Sequence, residues 1–157
     1  PSAVGLLKDM QFDRDASVRV QVSEALWRLG DTDAREELVA ATFSHYVDDQ
    51  AIAFMALAEP RDPEVLPHIH PGLTSQYDQI ALIAARAAGM LGSDAGYPLA
   101  VAGAASSDPA QRTLSAFALG AIGRTDAQPI LSKLLHDSNP DVRLAGATAI
   151  LELRQGH

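Results

Sequence analysis

The chain has 157 residues, of which 47% are apolar and only 5% aromatic, with a formal net charge of −8. Alanine supplies much of the apolar share, and alanine favours helices and disfavours strands, so closely packed helices are expected rather than a sheet sandwich. Residues 1–64 hold thirteen acids against six bases and the remainder seven against six, a poor balance for gripping a phosphate backbone, which needs clustered Lys and Arg.

With no cysteine, disulfides and thiolate chemistry are excluded. No apolar run reaches the roughly 18 residues of a membrane span, and no signal peptide is visible. The chain begins at proline and is expected to be a processed protein or an excised piece. Its compartment is left open, with the cytoplasm as the default.

In chain order, the first informative segment is DASVRVQVSEALWRLG, Asp15 to Gly30. Val18, Val22, Ala25, Leu26 and Leu29 fall on one helical stripe, with Asp15 as N-cap and Gly30 as the C-terminal stop. DAREELVAATFSH follows as a shorter helix, with Asp33 as its expected cap. Next comes DPEVLPHIHPG, Asp62 to Gly72, where Asp62 and Pro63 open a helix and Pro71 shortens or kinks it. A local change of superhelical curvature is expected at this junction. SDPAQRTLSAFALGAIG and SNPDVRLAGATAILELR repeat the longer helix, capped by Asp108 and Asn139, each with proline at the first helical position. DAQPILSKLLHD between them repeats the shorter one, with Asp126 as its expected cap.

These segments are one unit copied. Steps of 31 residues connect Ala25, Ala56, Ala87, Ala118 and Ala149, and also Glu36, Pro67, Pro98 and Pro129. The chain therefore reads as a single all-α tandem array of about five two-helix units, at 1–30, 31–61, 62–92, 93–123 and 124–154. Neither helix of a unit can bury its apolar face alone, so the units must stack.

Asp15, Val18, Arg19, Ala25, Leu26, Leu29 and Gly30, with Asp108, Arg112, Ala118, Leu119 and Gly123, and with Asn139, Val142, Arg143 and Ala149, carry a pattern that resembles HEAT repeats. It is most similar to the short bacterial HEAT-like type named for phycobilisome lyases. The resemblance implies a right-handed α-solenoid, and it implies that Arg19, Arg112 and Arg143 form a structural ladder bonded to neighbouring loops. It says little of activity, because the matching positions are structural. HEAT-like deoxyhypusine hydroxylases carry repeated His-Glu pairs, and this chain has no His-Glu dipeptide. HEAT-like DNA glycosylases present a cationic surface that so acidic a chain lacks. Bilin lyases of this type work as pairs of HEAT-like subunits, which leaves an accessory lyase subunit as the alternative to a scaffold.

The longer helix of each unit is expected to line a concave face. Opposite the core stripe stand Val20, Glu24 and Trp27, then Phe54 and Met55, then Leu82 and Arg86, then Phe117, and last Leu144 and Leu151. Glu24, Trp27, Phe54, Met55, Arg86 and Phe117 are the candidate anchors for a protein partner. His68 and His70 would make at most an incomplete metal site, because residues i and i+2 of a helix point far apart. No cofactor is expected. The flank of the final helix is expected to meet further repeats, another domain or a second copy.

Overall fold

The structure, a computed structural model, describes residues 2–155 and is all-helical among them, with ten α-helices joined by short 3-10 turns. The chain divides into two compact units, Pro1–Pro60 and Arg61–His157, which are described separately.

The first unit holds α1 (Ala3–Met10), α2 (Ala16–Arg28), α3 (Arg35–Ala41) and α4 (Val47–Ala58). The Asp15 carboxylate accepts the Ser17 amide at 2.9 Å and starts α2. Gly30, at φ +86°, reverses the chain after it, a backbone conformation that costs glycine little. The cap of the next element is Asp31 and not the expected Asp33. Asp31 accepts the Asp33 amide at 3.1 Å and opens a 3-10 turn over Thr32–Ala34, so α3 begins only afterwards. Val22, Leu26 and Ala34 form a buried cluster, with Leu7, Val18 and Trp27 packed on it. Leu29 leaves the expected core stripe. It is the C-cap residue, beyond the regular helix, and stands exposed.

The second unit holds α5 (Leu66–Ile69), α6 (Asp78–Met90), α7 (Tyr97–Gly103), α8 (Pro109–Ile122), α9 (Gln128–Leu134) and α10 (Pro140–Gln155). Asp62 caps a 3-10 turn over Pro63–Val65, α5 lasts four residues, and the chain tightens again into a 3-10 turn over His70–Thr74. Pro71 is the reason: it has no amide to donate, and its ring crowds the carbonyl four residues back. The three long helices α6, α8 and α10 pack side by side, around a core that includes Ala85, Ala116, Ala118, Leu119, Val142 and Ala149.

Small residues set how closely these helices approach. A β-carbon on Gly89 of α6 would lie 2.7 Å from the Ile122 amide nitrogen of α8, and one on Gly120 of α8 would lie 2.8 Å from Cα of Ala149 in α10. Both helix pairs are therefore in backbone contact, and alanine is already too large at the interface. Positions 30, 92 and 123, all glycine at positive φ, end the long helices that precede them. At the same register Arg61 adopts φ 58°, the one non-glycine residue with positive φ among the described residues.

Two stability predictions follow from this geometry. Gly89→Ala gains about 1 kcal/mol of helix propensity but forces backbones apart, and overpacking of this kind costs about 1–3 kcal/mol. Urea unfolding should show a net loss, and a gain would contradict the backbone contact. Arg61→Gly relieves left-handed strain of about 1–2 kcal/mol against a chain-entropy cost of about 0.5–1 kcal/mol. Its urea midpoint should rise or hold, whereas Arg61→Val should fall.

Candidate functional site

The arginine ladder is built from the loop upward. Each arginine is the fourth residue of its long helix, and its side chain reaches back across the helix start. Arg19 donates to the Asp13 carbonyl at 2.9 Å, Arg112 to the Ser106 and Ser107 carbonyls at 3.0 Å each, and Arg143 to the Asp137 and Ser138 carbonyls at 3.0 Å each. Gln50 takes the same register in α4 and donates to the Ser44 carbonyl. Ala81, at that register in α6, has no group that could. Arg19 also pairs with Glu37 at 3.1 Å. Arg112 grips Asp137 through two bonds of 2.8 Å, the fork geometry that favours arginine over lysine.

Arg112 beside Asp137 holds that carboxyl below the usual carboxylate range, helped by the Asn139 amide. Asp108 and Asn139 cap α8 and α10, accepting the Ala110 amide at 2.9 Å and the Asp141 amide at 2.8 Å. Asp126 is not the expected cap of the shorter helix. The Arg124 guanidinium holds it at 2.7 Å and stacks 4.2 Å from the Tyr97 ring centroid. Asp126 lies inside the 3-10 turn over Thr125–Ala127, so it does not precede the helix, and the Arg124 ion pair holds its carboxyl below the ordinary range.

The expected partner face divides in two. Glu24, Met55, Arg86 and Phe117 stand 31 residues apart in one column, and all four are half-buried. In the first unit Glu24 holds Arg28 at 3.1 Å, and Arg28 reaches Glu59 at 2.8 Å. Trp27 donates its indole Nε1 to the Ala56 carbonyl at 2.9 Å. Its ring borders an open cavity of about 490 Å³, shared with Arg28, Gly30, Thr32, Glu59 and Pro60. The register explains the cavity: Ala58, Gly89 and Gly120 occupy the equivalent of Trp27, and glycine there allows backbone contact where an indole interposes a wedge.

In the second unit the Arg86 guanidinium lies 4.7 Å from the Phe117 ring centroid. Among the described residues Arg86 makes no ion pair. Phe54 does not belong to this face. It is 1% exposed, and its register mates Ser23, Ala85 and Ala116 are buried too, so the column faces inward. Val20 and Leu82 are also buried; Leu82 packs toward Gly103 of α7. Leu144 and Leu151 on α10 are exposed.

His68 and His70 are not brought together as a site. His68 is half-buried in α5, while His70 is exposed at the start of the following turn, with Nε2 3.3 Å from the Ser93 hydroxyl. Among the described residues no three His, Asp or Glu side chains gather where an ion could be held.

Residues 97–155 match the family model for HEAT repeats. That segment, which spans α7 to α10, is similar to HEAT repeats. No curated protein gives a significant match. Among solved structures, 99% of the chain superimposes at TM-score 0.66 and 22% identity on 66% of a chain in the complex of CpcE and CpcF of phycocyanin lyase, from a Nostoc species. An engineered protein matches at TM-score 0.59 and 19% identity, with 99% of this chain and 81% of that chain covered. Human deoxyhypusine hydroxylase matches at 0.50 and 16%, covering 99% and 86%. At these identities the likeness is one of fold.

A further periodic feature lies outside the helical stripes. Asp13, Ser44, Ser75, Ser106 and Asp137 stand exactly one repeat apart, and each side chain accepts the amide two residues on, at 2.8–3.2 Å. The signal was present in the sequence as Asp or Ser every 31 residues, two positions before the cap. The same loops present Phe12 and Phe43, one repeat apart and strongly exposed.

The ladder predicts a pH signature. Because the folded-state pKa of Asp137 is depressed, its pairing with Arg112 stabilises the fold fully above the ordinary carboxylate range near 4. That contribution is lost as the pH falls through the folded-state value. Asp137→Asn should therefore lower the urea midpoint at pH 7, with the gap from the parent closing towards pH 2. A gap of the same size at both pH values would contradict the ion-pair assignment.

Proposed function

We propose that the protein is a non-enzymatic scaffold that holds a segment of a protein partner against the concave face lined by its long helices. The observation that carries this reading is the Arg86–Phe117 pair. A guanidinium stacked on a ring is already oriented, so little side-chain entropy remains to be lost when a partner arrives. With no ion pair among the described residues, Arg86 keeps its donors for the partner. Trp27 beside its cavity supports the reading in the first unit, because a half-open indole with its N–H already satisfied offers apolar area for insertion. The acidic excess of residues 1–64 would steer basic partners towards that part of the chain.

A second reading, an accessory subunit of a lyase-type complex that handles a chromophore, is favoured by one observation. The similar Nostoc chain comes from a two-protein complex of phycocyanin lyase. Visible absorbance that co-purifies with the chain, or appears on adding a tetrapyrrole, would favour this reading. A colourless, unresponsive protein would count against it.

The scaffold reading is tested by an interaction screen that compares the parent with a Trp27→Ala, Phe117→Ala double variant. Partners of the parent should bind the variant at least about tenfold more weakly, since buried anchors of this type cost 2 kcal/mol or more when truncated. Equal binding at unchanged stability would overturn the groove.

A further inference from the structure

Phe12, Phe43 and Tyr46 are 87%, 67% and 65% exposed, on the edge of the first unit where its loops enter the long helices. Phe12 stands four residues before α2 and Phe43 four residues before α4, and these helices pack against each other. Equivalent loops of packed helices lie about 10 Å apart, so the two rings form neighbouring rungs, with Tyr46 beside the second. Together the three side chains expose about 400 Å² of aromatic surface, as large as the main apolar patch of a typical monomer.

The loops that carry the rings are held by hydrogen bonds. Asp13 and Ser44 each fold their loop by accepting an amide two residues on, and Arg19 and Gln50 tie the same turns from the helix side. The surrounding charge is acidic on balance, because Arg19, the cation that ties the first of these turns, is paired with Glu37. Residues 9–15 carry Asp9, Asp13 and Asp15 against Arg14, and residues 43–49 carry Asp48 and the buried Asp49 with no Lys or Arg.

From these observations we infer that this loop edge is a second docking surface, distinct from the long-helix face, and that its partner is an arginine-rich peptide segment. Guanidinium groups stack on aromatic faces while their donors reach carboxylates. Ring faces spaced by one repeat, with Asp9, Asp13 and Asp48 near them in the chain, suit an extended cationic chain. An acidic segment would meet the same carboxylates as a repulsion.

The test uses the full chain and a fluorescein-labelled octapeptide rich in Arg, followed by anisotropy at 150 mM salt, with a Glu-rich octapeptide as comparator. The parent should bind the Arg-rich peptide and not the Glu-rich one. Phe12→Ala, Phe43→Ala should weaken binding about tenfold, and Phe12→Leu, Phe43→Leu, which keeps apolar bulk but no ring face, should weaken it similarly. Asp9→Asn, Asp48→Asn should also weaken it. The surface is overturned if the parent ignores the Arg-rich peptide or binds both peptides alike. It is overturned equally if the leucine variant binds as tightly as the parent. Loss of partner binding through Trp27 and Phe117 would leave this result unmoved, so the two surfaces fail independently.

Discussion

Everything in the second unit depends on how closely its long helices approach. Gly89 and Gly120 put the backbone of one helix against the backbone of the next, and the buried alanines at 87, 118 and 149 fill the remaining space. Each alanine buries little apolar area, only about 0.8 kcal/mol per methyl-sized group. The gain comes from the number of dispersion contacts that close approach allows along the whole interface. A repeat of 31 residues is short for two helices and two turns, and small interface residues are what permit it. Bulk is consequently displaced, and larger side chains sit under the short helices or stand outward on the loops and the outer face.

The polar groups that such packing would strand are handled by the loops. Each turn into a long helix has an Asp or Ser folding it, and in three repeats an arginine collects two carbonyls that have no helical partner. This is the accounting that buried and half-buried backbone demands. The third repeat departs from it twice: Ala81 cannot serve as the donor, and Pro71 leaves α5 only one turn long. Arg86, which belongs to that same repeat, stacks on the Phe117 ring and makes no ion pair among the described residues. In the regular repeats Arg19 and Arg112 pair with acids as well as with loop carbonyls.

The number of helices, the repeat length and most caps are legible because they depend on local chemistry: an Asp before a helix, a proline at its first position, a glycine after it. The column of alanines is legible for the same reason, since period and residue type agree. Phe54 shows where this reading ends. Angular position on one isolated helix does not reveal which flank the neighbouring elements cover, and position 54 lies on a covered flank together with Ser23, Ala85 and Ala116. Asp33 and Asp126 show a second limit. Each lies inside a 3-10 turn that precedes the shorter helix, and that extra turn is not visible in the pattern of residues. Phe12 and Phe43 share a register that could have been read, but a search for helical stripes passes over loops.

The claim that close helix approach organises the fold is tested most directly by hydrogen exchange at individual amides. The account predicts the slowest exchange in α6 and α8, centred on Ala87, Ala88, Ala118 and Leu119, with faster exchange in the loops that carry Phe12, Phe43 and Ser75. Protection should therefore rise and fall with the 31-residue step. Fast exchange across α6 and α8, or protection indifferent to the repeat, would contradict it.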